Sequence, residues 1–132
     1  MRLYEATKRL GNTTYIGMIL VNNQNNMVMR KVMSTNRPKN AYLSGIERAV
    51  SYLHSNKIDM EGNIVVYGLK LNDDQPVTSE YIERMNVTGT VILNDKDLTS
   101  LDNRYIMLAK QEINRETKAY EERSLEENIG RK

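Results

Sequence analysis

The apolar positions of this chain fall first into strand-like runs and then into helical stripes that alternate with short β-branched runs. Arg2 to Thr7 predicts a short first strand, and Lys8 to Thr14 supplies a polar, glycine-containing break after it. Tyr15-Ile16-Gly17-Met18-Ile19-Leu20-Val21 is apolar on both faces, which predicts the covered middle strand of a meander. The tract Asn22 to Asn26 predicts a turn, because asparagine tolerates left-handed backbone angles and its side chain competes for local hydrogen bonds. Met27 to Met33 then pairs back. It sets Val28, Arg30 and Val32 against Met27, Met29, Lys31 and Met33, so it reads as a less buried strand nearer an edge, with its methionines as core filler.

Ser34-Thr35-Asn36-Arg37-Pro38 carries cap residues and a proline suited to a first helical turn. Tyr42, Ile46, Ala49, Val50 and Leu53 follow as a helical stripe. Ile64 to Leu69 is compact and β-branched, as a buried parallel strand should be. A short helix from Thr78 or Ser79 to Asn86 is expected next, then a last strand over Thr88 to Leu93. Thr99-Ser100-Leu101-Asp102 caps a final helix with apolar Leu101, Tyr105, Leu108, Ala109 and Ile113. Beyond Asn114 the stripe dissolves into charged residues, which predicts a solvated helix end fraying into a tail.

A chain of 132 residues fits one domain, here placed at 1–113 with 114–132 as the charged helix end. The absence of cysteine excludes disulfides and thiolate metal sites, and the single histidine, His54, excludes a multi-histidine metal cluster. His54 reads as a surface residue near a helix C-terminus, since no nucleophile motif accompanies it. There is neither a signal-like start nor an apolar stretch of membrane-span length, so a soluble cytoplasmic protein is expected, with no cofactor and no membrane contact. Charge is uneven: up to Lys57 nine Lys and Arg face only Glu5 and Glu47, whereas the remainder holds ten basic and fifteen acidic residues. Such asymmetry points to a polyanionic partner for the first half, unless the two halves interleave in the fold and partly cancel.

Leu10-Gly11-Asn12 followed by Gly17-Met18-Ile19-Leu20 resembles the link between the first two strands of ribonuclease H, and Tyr42 to Leu53 resembles its first helix. The resemblance implies an α/β ribonuclease H-like fold of element order β-β-β-α-β-α-β-α, with a mixed five-stranded sheet. Nuclease chemistry in that family requires carboxylates that hold two divalent cations. The family pattern places its first-strand acid at Ala6, its helix acid at Tyr42 and its fourth-strand acid at Leu69, none of which can ligate a metal. Glu5, Glu47, Asp73 and Asp74 lie close by in sequence, but a one-residue shift turns a strand side chain to the other face, and Glu47 points about 140° around the helix from Tyr42.

The expectation is therefore a non-catalytic binding protein with no metal site, contacting nucleic-acid phosphates through Lys8, Arg9, Arg30, Lys31, Arg37 and Lys39. Two alternatives stand beside it. One is a small viral or phage accessory protein that engages a host protein through the Met27 to Met33 edge, which could equally form a homodimer. The other is a divergent metal-dependent nuclease.

Overall fold

The computed structural model describes residues 1–36, 41–59, 63–68, 90–93 and 98–130, with side chains over 1–36, 44–59, 64–68 and 98–118. These residues form an α/β layer structure of strands β1 (Arg2–Leu10), β2 (Thr13–Val21), β3 (Met27–Thr35), β4 (Asn63–Tyr67) and β5 (Thr90–Leu93) with helices α1 (Ala41–Ser55) and α2 (Ser100–Gly130). The strand order is β3-β2-β1-β4-β5, antiparallel across β1, β2 and β3 and parallel from β1 to β4 and β4 to β5. The expected helix near Thr78, together with Arg37, Lys39, Asp73 and Asp74, lies outside the described residues.

Local chemistry accounts for the strand boundaries. β1 runs three residues beyond the expected Thr7, because the break between β1 and β2 is only Gly11 and Asn12, with Leu10 already opposite Thr13. Gly11 takes a φ of 60° while Asn12 is not among the residues of positive φ, as a two-residue hairpin of type II′ requires. The asparagine tract closes β2 to β3: Asn22 Oδ1 accepts from the backbone N–H of Gln24 at 3.0 Å and of Asn26 at 2.9 Å, and Asn25 sits at φ 63°.

Alternation along the strands splits the core in two. Leu3, Ile16, Met18, Leu20, Ile64 and Val66 pack beneath Ile46, Ala49, Val50 and Leu53 of α1. On the opposite face Tyr4, Ala6, Ile19 and Val21 pack against Ile106, Ala109 and Ile113 of α2. β2 is buried on both faces, as its apolar run implies. β3 lies at the sheet edge and departs from simple alternation: its register with β2 shifts between Leu20 and Val21, and the adjacent residues Val28 and Met29 both pack on the α1 side. The slip removes Met27 from the face shared by Met29 and Met33 and leaves it 50% exposed, so only two of the three methionines reach the core.

α1 ends on Lys57, which takes the left-handed conformation at φ 54°, with Ile58 N–H donating to Leu53 C=O at 2.9 Å and Lys57 N–H to His54 C=O at 3.2 Å. α2 opens on Thr99 and Asp102 as expected: Asp102 N–H donates to Thr99 Oγ1 at 3.1 Å and Thr99 N–H to Asp102 Oδ2 at 3.2 Å. α2 continues past Asn114 to Gly130, and Thr117 is only 1% exposed. No helix among the described residues is long and apolar enough to cross a membrane.

Candidate functional site

The four described cations of the expected phosphate-binding set do not share a face. On β1, and on β3 from Met29 onward, even-numbered residues face α2 and odd ones face α1, so Lys8 and Arg30 project to one side and Arg9 and Lys31 to the other. Two of them are also engaged. Arg30 Nε donates to Glu112 Oε1 of α2 at 2.6 Å, and Lys31 Nζ lies 4.6 Å from the centre of the Tyr52 ring of α1. Lys8 and Arg9 remain at the hairpin end of β1, where Arg9 Nε donates to Gly11 C=O at 3.1 Å.

A second group of cations was not singled out in the sequence because the C-terminal half is acidic overall. Arg104, Arg115 and Lys118 lie on one exposed stripe of α2 with Met107 and Gln111, and exposed Lys110 flanks it. At 1.5 Å rise per residue, Arg104 to Lys118 spans about 21 Å. None of α2's described carboxylates lies on that stripe. Asp102 is buried at the helix start, Glu112 turns to Arg30 with Arg115 at 3.7 Å, and exposed Glu116 is on the far flank. Helical periodicity applied to the cations alone would have found this stripe.

Two carboxylates leave the surface altogether. Asp102 accepts from the Tyr4 hydroxyl at 2.6 Å and from Thr99 Oγ1 at 2.8 Å. Burial alone would raise the Asp102 pKa, but the hydrogen bonds from Tyr4 and Thr99, aided by the charge of Arg2, outweigh it and hold the carboxyl below its ordinary value. The Tyr4 phenol is pushed up, first by burial and then by its bond to Asp102. Tyr4 stacks on Tyr67 at 4.8 Å and on Tyr105 at 4.9 Å, and Arg2 lies over Tyr4 and Tyr105 while donating to Tyr4 Oη and to Asn25 Oδ1. This cluster joins the asparagine turn, the middle of the sheet and the start of α2. Tyr4→Phe deletes the buried phenol that satisfies Asp102, and is expected to cost about 1.5–3 kcal/mol in urea unfolding. An unchanged midpoint would show that water replaces the phenol.

The other withdrawn carboxylate is Glu5. It faces α1 from β1, fully buried, and neither oxygen has a hydrogen-bond partner among the described residues. A Cβ on Gly45 of α1 would overlap Glu5 Oε1, so the helix lies directly on the carboxyl. Burial without compensation raises its pKa well above the ordinary carboxylate value. Ala6, the position that the ribonuclease H pattern selects, faces α2 instead.

A two-cation centre is not built by the residues described. Glu5 is sealed beneath Gly45, Glu47 is exposed on the outer side of α1, and no group of three or more His, Cys, Asp or Glu among the described residues could hold a metal ion. Comparison with known proteins finds no matching family, no matching curated protein and no matching solved structure.

Proposed function

We propose that this chain is a non-catalytic binding protein that engages nucleic-acid phosphates from a ribonuclease H-like scaffold. The observation that carries the reading is the cation stripe of α2: among the described residues Arg104, Arg115 and Lys118 are exposed on one side of the helix, and no described carboxylate of α2 lies on that stripe. Support for the scaffold comes from the antiparallel meander continued by parallel β4 and β5 in the order β3-β2-β1-β4-β5. Support for a role without catalysis comes from Ala6, Tyr42 and Leu69 at the positions where the family pattern requires acids.

Under this reading the contact surface lies on the α2 side of the sheet. Arg104, Arg115 and Lys118 on the outer stripe of α2 are its main cations, and Lys8, on the same side of the sheet as α2, adds to it. A 21 Å row of cations matches the rise of about six base pairs of duplex and reads backbone rather than sequence.

Fluorescence anisotropy against single-stranded, duplex and RNA–DNA hybrid oligonucleotides over a salt series tests the reading. Binding should weaken steeply with salt, and the triple charge reversal of Arg104, Arg115 and Lys118 to Glu should lower the log-log slope by about 0.9 for each duplex phosphate that the variant no longer neutralises. Reversal of Arg30, already held by Glu112, should change it little. No binding at low salt would retire the phosphate reading. The second reading, a partner protein, is favoured by one observation: β3 is a nine-residue strand at the edge of the sheet.

A further inference from the structure

We propose that β3 pairs with β3 of a second copy, antiparallel across a two-fold axis at Val32, to make one continuous sheet. A nine-residue edge strand presents a row of backbone donors and acceptors, and proteins usually guard such edges with short length, proline, a bulge or an outward charge. β3 contains no proline, and its irregularity against β2 is confined to the Val28 end. From Met29 to Thr35 the register with β2 is regular. The two charges that should guard this stretch fold away from the edge, Arg30 to Glu112 on one face and Lys31 over Tyr52 on the other. The edge is long and regular, and among the described residues no charge guards it.

Charge excludes the registers centred on the two cations: a two-fold at Lys31 would set Lys31 against itself, and one at Arg30 would do the same to arginine. With the two-fold at Val32, Lys31 faces Met33, Arg30 faces Ser34 and Met29 faces Thr35, and half-buried Val32 meets its own copy. No cation then faces a cation, and apolar surface that the single chain leaves half-open is covered.

α2 gives the second reason to choose a copy of this chain over a foreign strand. Along its length the helix meets β1 at Tyr4, β2 at Gly17 and β3 at Arg30, so it crosses the sheet toward the β3 edge. Its last buried position in the described side chains is Thr117, and it stays helical to Gly130, about 20 Å further. A second sheet joined at β3 would lie under that overhang, and the two-fold would supply the same cover in return.

The chain has no cysteine, which makes cross-linking a clean test. Val32→Cys should oxidise to a disulfide-linked dimer, because self-paired residues across a two-fold bring their Cβ atoms to about 4.5–5.5 Å. Ser34→Cys, placed opposite Arg30, should stay largely uncross-linked under the same conditions. Sedimentation velocity of the full chain should show a concentration-dependent dimer that Val32→Arg converts to monomer, with circular dichroism checking that the variant folds. If Val32→Arg does not fold, the cysteine pair decides alone. A chain that stays monomeric at all concentrations overturns the proposal. So does a dimer in which Ser34→Cys cross-links as fast as Val32→Cys, or one that a folded Val32→Arg leaves intact.

Discussion

Glu5→Met is expected to stabilise the protein by about 1–3 kcal/mol at neutral pH, because it removes a buried carboxyl that has no partner among the described residues and leaves a side chain of similar reach against Gly45. The pH profile makes the claim specific. Folding raises the Glu5 pKa from its ordinary value of 4.5, so the folded chain keeps a proton that the unfolded chain releases. Stability is therefore highest below that value and declines as pH rises from about 4.5 toward the folded pKa. Asp102 acts in the opposite sense: its pKa is lowered from 3.8, so its contribution is present above 3.8 and is lost as pH falls through the folded value. Glu5→Gln should abolish the decline above 4.5 while leaving the acid limb unchanged. Urea unfolding over a pH series measures both limbs. A Glu5→Gln variant with the wild-type profile would mean that the carboxylate finds a partner or water in solution.

The second large effect is expected at Gly17. A Cβ there would overlap the Ala109 carbonyl and press on Ile113 Cγ1 at 3.0 Å, and Ala109 is helix backbone that cannot rotate aside. Gly17→Ala should therefore push α2 off β2 and cost about 3 kcal/mol, seen as a lower urea midpoint and earlier amide exchange in α2. A loss below about 0.5 kcal/mol would place this residue with ordinary surface positions and show that the helix shifts freely.

Much of the layout was legible because it rests on local periodicity. The both-faced apolar run of β2, the stripe of α1 and the Thr99–Asp102 cap each state their environment within a few residues, and the structure places them as the pattern implies. The same logic fails where partners are remote. Nothing near Tyr4 in sequence announces Asp102, 98 positions away, and an isolated acid at Glu5 gives no sign that it will be sealed under a glycine of α1. The bulge at Val28 defeated the alternation that grouped Met27 with Met29 and Met33. The described members of the cation set are divided for a related reason: Lys8 and Arg9, like Arg30 and Lys31, are adjacent in a strand, so each pair is split between faces as soon as the strand forms. The charged stretch after Asn114 reads as a solvated helix end fraying into a tail, and α2 runs helical through it to Gly130.

The position of β1 also bears on how the sheet is assembled in time. Its pairing with β2 closes through two residues and β2 with β3 through a short turn, whereas its pairing with β4 joins Arg2 to Val65 and must close a loop of more than sixty residues. Loop-closure entropy favours the meander as the earlier species, with β4 arriving after α1 has covered one side. Until then β1 is itself an open edge, and the newly made chain passes through an interval in which the strand that becomes the centre of the sheet is its most adhesive border.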